Sequence, residues 1–120
     1  MAVLLLMSIV LLCCRGTKSL APAKKDVKSE PSLVPDNADV TAAQAHWTGT
    51  TLANLTQGYN IYNDKCLDCH DVKKPQDFSI EDWNNTLPKM GRKSHLDSTQ
   101  YKLVYRYILA KRETILAAKK

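Results

Sequence analysis

The sequence predicts an all-α fold, a small domain of about three helices, on three observations. Apolar side chains recur at three- and four-residue steps in two long stretches. Residues that cap helix N-termini stand ahead of the second and third predicted helices. No stretch has the two-residue alternation of a convincing strand.

The first helix begins near Leu52. Leu52, Leu55, Tyr59, Tyr62 and Cys66 fall on one face at helical spacing. The second, shorter helix covers Phe78 to Leu87, where Ser79 and Asp82 have the spacing of a capping box. Pro88 is expected to end it, because proline lacks the N–H that a helix interior uses. The third helix is expected over Ser98 to Ala117, with Asp97 as N-cap and Gln100 closing a capping box. Leu96 and Tyr101 occupy its hydrophobic-staple positions. Its buried face is read as Tyr101, Val104, Tyr105, Ile108 and Ile115, while Lys111 and Arg112 suit the negative end of the helix dipole.

A chain of 120 residues permits one small domain. Residues 1–14 read as a signal peptide. Ala2 to Cys14 is apolar except for Ser8, and is shorter than the roughly 20 residues a membrane span requires. No Lys or Arg precedes this run and Arg15 follows it, so a basic segment upstream of Met1 is expected. Leu11-Leu12-Cys13-Cys14 ahead of Arg15-Gly16 resembles a bacterial lipoprotein signal, with Cys13 or Cys14 as the lipid-bearing residue. Leu12 is larger than the small residue such signals place before the cysteine, so simple cleavage and an uncleaved anchor stay open. The expected location is exported and periplasmic. A lipid would hold the protein on a membrane surface without spanning it.

Residues 15–46 read as a flexible linker. Pro22, Pro31 and Pro35 are interleaved with Lys, Ser, Asp and Ala, and aromatics are absent. Residues 47–120 are the expected domain, with His46 and Trp47 at its edge. The net charge of +5 comes from 17 basic and 12 acidic side chains. No arginine cluster or nucleic-acid motif accompanies it, so nucleic acid is not an expected partner. An acidic or membrane-bound redox protein is the simpler partner, and a monomer is expected.

Cys66-Leu67-Asp68-Cys69-His70 has the C-x-x-C-H spacing of c-type haem attachment. Two thiols about a helical turn apart can reach the two vinyl groups of one porphyrin edge. A histidine directly after the second presents an imidazole to the iron. A thioredoxin-like thiol pair would need a strand ahead of the first cysteine, where this chain has a helical pattern. A zinc site would need about four ligands. His46 and His95 could join the two cysteines, but no second paired motif exists. A domain of roughly 70 residues needs a staple beyond its own core, and a covalent haem would supply one.

At Gly58, Tyr62, Cys66, Cys69 and His70 the chain resembles class I cytochromes c, whose opening is G-x-x-x-[FY]-x-x-x-C-x-x-C-H. Val104, Tyr107 and Ile108 are similar to the family's V-x-x-Y-[IL] pattern. Trp83 to Met90 is similar to the Trp-x6-Met segment of small monohaem periplasmic members. The resemblance runs from about Trp47 to Leu109. It implies helices packed around one covalent haem c, with Gly58 where the first helix crosses the last. It also implies His70 as proximal iron ligand and Met90 as distal ligand, in a loop after Pro88-Lys89 that turns the thioether inward. His95 is the competing sixth ligand and His46 a weaker one.

Pro75 is a candidate to present its carbonyl to the free N–H of His70, or to shape the chain that does, as a similar proline does in the family; a plain turn is its other reading. Trp83 is a candidate to line the haem pocket or reach a propionate through its indole; simple packing is the other reading. Lys73, Lys74, Lys89, Arg92 and Lys93 flank the site and would either steer acidic partners or form an ordinary solvated surface. The expected function is one-electron transfer rather than enzymatic turnover. The alternative is a haem sensor or small peroxidase-like protein with a labile or histidine sixth ligand. A non-haem metal or thiol protein is the third reading.

Overall fold

The computed structural model describes residues 31–66 and 73–120. Among the described residues the regular structure is entirely helical, in four α-helices rather than three. They are α1 (Asn37–His46), α2 (Leu52–Ile61), α3 (Ile80–Lys93) and α4 (Ser98–Ala117). A π-helical turn, Tyr62–Cys66, prolongs α2, and a 3-10 turn, Pro75–Asp77, precedes α3. Helix α4 packs against the other three helices and the 3-10 turn. No helix among the described residues is long and apolar enough to cross a membrane.

Helix α1 corrects the linker reading for residues 37–46. Asp36 caps it through Ala38 N and Asp39 N at 2.8 and 3.2 Å, and Asp39 Oδ2 accepts in return from Asp36 N. The sequence gives α1 little apolar patterning. What docks it is polar: Lys111 Nζ donates to Asp39 Oδ2 at 2.8 Å, and Thr114 Oγ1 donates to Asp39 Oδ1 at 2.5 Å. Ala43 is fully buried and packs in a small apolar cluster with Leu55 and Ala110. Just upstream, the Tyr107 hydroxyl donates to the Leu33 carbonyl at 2.9 Å. Lys111 is therefore no solvated partner of the helix dipole. It is 3 % exposed and paired with an aspartate that is 1 % exposed.

The chain reverses after α1 through Gly49, whose φ of +78° lies in the left-handed region that glycine enters without strain. Thr51 then caps α2, with Asn54 as its reciprocal partner. Leu55 is fully buried and Tyr62 is 1 % exposed, as the spacing predicts, but Leu52 lies at the exposed helix start.

Gly58 sits where α2 crosses α4. A Cβ there would collide with the Leu103 carbonyl oxygen, lie 2.7 Å from its carbon, and stand 2.9 Å from Tyr107 Cβ. Backbone atoms cannot move aside cheaply, so only glycine lets the two helices meet at this distance.

Helix α3 is capped by Ser79 and Asp82 as expected, yet it runs through Pro88 to Lys93. An interior proline costs about 3 kcal/mol. Trp83, Leu87 and Met90 share the buried face, and burying such side chains contributes roughly 1.5–3 kcal/mol each. The apolar face outweighs the missing hydrogen bond. Helix α3 ends in a Schellman motif, where His95 N donates to Arg92 O and Leu96 N donates to Gly91 O. His95 takes the left-handed position, at φ +53°.

Helix α4 has the expected bounds and cap. Its buried face is broader than expected. Tyr107 and Ala110 join Val104, Ile108 and Ile115, while Tyr101 and Tyr105 are only partly buried.

Three variants test this packing by chemical denaturation. Gly58→Ala should lower stability by about 1–3 kcal/mol through overpacking. Lys111→Met alone should cost about 3–5 kcal/mol by stranding a buried carboxylate, and Asp39→Leu with Lys111→Met should cost less than that single change.

Candidate functional site

The site is built where α2 ends. One further turn after Gly58 and Tyr62 brings Cys66 into the apolar cluster, 3 % exposed. The turn is π-helical, a widened form that occurs mostly as single turns within α-helices, frequently at functional sites. Burial pushes the Cys66 thiol up, and the Ser94 hydroxyl bond and nearby Lys65 pull it partly back.

Met90 belongs to the same cluster and is 9 % exposed. It reaches that cluster from the buried face of α3, not from a loop after Pro88 as expected. Tyr62, Trp83, Leu87, Val104, Tyr107 and Ile108 are the cluster's other buried members. The Tyr62 and Trp83 rings meet edge-on at 6.4 Å, and Phe78 meets Trp83 at 5.2 Å.

The backbone beyond the C-x-x-C-H segment is held by side chains from three directions. Tyr62 OH donates to the Lys73 carbonyl at 2.5 Å. Trp83 Nε1 donates to the Pro75 carbonyl at 2.9 Å. Arg112 Nε donates to the Phe78 carbonyl at 2.7 Å. The second bond makes the Trp83 indole N–H and the Pro75 carbonyl, both candidate haem-site groups in the sequence, partners of each other.

Cys69 and His70 lie outside the described residues, as do Cys13, Cys14 and the signal-like segment. His95 is exposed, on the turn after α3. His46 is at the end of α1, 3.3 Å from Glu113, with its side chain 56 % exposed. Neither histidine belongs to the Cys66–Met90 cluster. Lys89, Arg92 and Lys93 are exposed and Lys73 is half-buried, its ammonium 5.0 Å from the Phe78 ring centre. A concavity of about 610 Å³ lies between Trp47, Ile80, Tyr105 and Leu116, with neither Cys66 nor Met90 in its lining.

Ser94, which bonds Cys66, and Arg112, which holds the Phe78 carbonyl, are the site's additions to the sequence reading. Only contacts between distant segments reveal them. The capping signal at Ser79 could have suggested a fixed approach to α3, but not which donors hold it.

No family model, no curated protein and no solved structure matches this chain.

Burial holds the hydroxyls of Tyr62 and Tyr107 well above the ordinary tyrosine value, with smaller contributions from Cys66 and Asp77 at Tyr62, and from Tyr59, Tyr62 and Asp39 at Tyr107. Below pH 10.0, the ordinary value, folded and unfolded chains both keep these protons. Above it the unfolded chain loses them first, so stability falls as pH rises. Melting temperatures taken across this range should be flat near neutrality and drop in the alkaline arm. Tyr62→Phe should flatten that drop while costing roughly 0.5–1.5 kcal/mol at neutral pH.

Proposed function

We propose that this protein is a one-electron carrier, with a single haem attached covalently through Cys66 and Cys69 and its iron bound by His70 and Met90. The observation that carries the reading is the burial of Cys66 and Met90 in one apolar cluster, with the rest of C-x-x-C-H following directly in the chain.

The residues fit such a group chemically. Cys66 supplies a thiol for one thioether at the rim of an apolar, aromatic wall. Met90 supplies a soft sulfur from an adjacent helix. The close approach of α2 and α4 at Gly58 supports the same reading. Bound there, the haem would supply a reversible one-electron couple at its iron.

The chain's own residues set the conditions for that couple. Tyr62, Trp83 and Leu87 keep water from the sulfur cluster. Tyr62 also keeps its proton at the hydroxyl, committed to the Lys73 carbonyl. Met90, as a thioether ligand, favours ferrous iron and raises the potential relative to a second imidazole. Lys89, Arg92 and Lys93, exposed at the end of α3, would attract an acidic partner. Export through residues 1–14, with lipid at Cys13 or Cys14, would keep the domain near a membrane-bound partner.

The test is ligand substitution in the haem-loaded protein. The reduced wild type should keep its visible bands on exposure to carbon monoxide. Met90→Ala should lower the potential and let carbon monoxide bind. His95→Ala should change neither. An immediate band shift in the wild type would favour a sensor or peroxidase-like role. Loss of the low-spin spectrum in His95→Ala alone would remove Met90 as ligand.

A further inference from the structure

The concavity along α4 is a long groove with an apolar floor. Its lining runs from Tyr105 to Lys120, roughly 22 Å at 1.5 Å per helical residue. Trp47, just past α1, and Ile80, the first residue of α3, complete it from the other side. Its volume of about 610 Å³ falls within the roughly 300–1,000 Å³ of sites that hold small organic ligands. Tyr105, Leu109 and Leu116 are half-buried along the floor, and Ile80 is 50 % exposed. The Ser79–Asp82 capping box starts α3 without any need for an apolar side chain at Ile80. Trp47 and Tyr105 are side chains that favour the boundary between water and membrane.

The charges are arranged unevenly. Lys119 and Lys120 are exposed where α4 stops, and Lys120 forms one end of the lining. Arg112 also lines the groove, and the Arg106 guanidinium lies 5.8 Å from the Trp47 ring centre. Glu113 is the acid in the lining, and His46 engages it at 3.3 Å. Glu81 and Asp82 follow Ile80 in the first turn of α3, where the helix dipole offsets their charge. An apolar length with a cationic end complements an amphiphile that has an acyl chain and an acidic head. The length matches as well, since one leaflet's hydrocarbon is roughly 15 Å deep. An acidic protein surface would satisfy the lysines but leave the apolar floor uncovered.

We propose that this groove seats one acyl chain of an anionic membrane lipid, with the acidic headgroup at Lys119 and Lys120, and so docks the folded domain on an anionic bilayer. The contact is additional to any anchor at the N-terminus. It does not rest on the haem reading, because neither Cys66 nor Met90 lines the groove.

The experiment uses the full chain as purified and vesicles of phosphatidylcholine with phosphatidylglycerol. A trace of the phosphatidylglycerol carries a photoactivatable group in its acyl chain, and labelled peptides are mapped by mass spectrometry. Mapping where the label falls keeps the result independent of an N-terminal anchor. Label should fall on the peptides that carry Trp47, Ile80 and Leu116. Ile80→Asp should reduce it about tenfold, by removing half-exposed apolar surface. Lys119→Glu with Lys120→Glu should reduce it about fivefold for each lysine. These positions are exposed, and circular dichroism should show unchanged helix content in each variant. Label absent from the groove peptides overturns the proposal, and a dimer in that case assigns the face to a second copy. Label that the substitutions leave unchanged overturns it. So does equal labelling from photoactivatable phosphatidylcholine in vesicles without phosphatidylglycerol. A groove that takes up monomeric laurate but no vesicle label is a site for a free amphiphile, which also overturns membrane docking.

Discussion

The close crossing of α2 and α4 at Gly58 sets the register of everything downstream. The backbone of one helix lies against the Leu103 carbonyl and Tyr107 Cβ of the other. At that separation Tyr62, one turn on, meets the Tyr107 ring at 6.1 Å and the Trp83 ring at 6.4 Å. Its hydroxyl then reaches Lys73 and defines where the chain returns. Cys66, a further turn on, enters the cluster that holds Met90. A side chain at position 58 would push α2 outward and shift each of these contacts. The site is thus a consequence of a backbone contact outside it.

Helix α4 performs a second task, through polar groups. Lys111 and Thr114 hold Asp39, Tyr107 holds Leu33, and Arg112 holds Phe78. A buried ion pair adds little net stability over an apolar pair, because desolvation offsets most of the attraction. Its effect is selective. Once Lys111 is buried, only a docking of α1 that delivers Asp39 is acceptable. The segment between the signal-like run and the sulfur cluster is consequently part of the domain from α1 onward.

The readable parts of the sequence were those with local causes. Asp97, Gln100 and the apolar steps after them specify α4 to its ends. Gly58 and Tyr107 pointed to the helix crossing through family resemblance. Ser79 and Asp82 marked the start of α3. Its end was misread because Pro88 is a strong local signal, and the burial of Met90 beyond it is not local. Helix α1 was misread because its anchor, Asp39, depends on Lys111 far along the chain. At the site, Cys66 and Met90 could be picked out, but the partners of Trp83 and Pro75 could not. Hydrogen bonds to backbone carbonyls leave no periodic trace.

The proposed haem site would draw on the helix crossing, the apolar cluster that holds Cys66 and Met90, and the C-x-x-C-H segment. The proposed attachment is covalent. The intact mass of the protein purified from cells competent in cytochrome maturation, followed by alkylation of the unfolded chain, measures that attachment directly. The expected mass is that of the processed polypeptide plus one haem, with neither Cys66 nor Cys69 open to alkylation. The bare polypeptide mass, with or without lipid, and two alkylated thiols at those positions would contradict it.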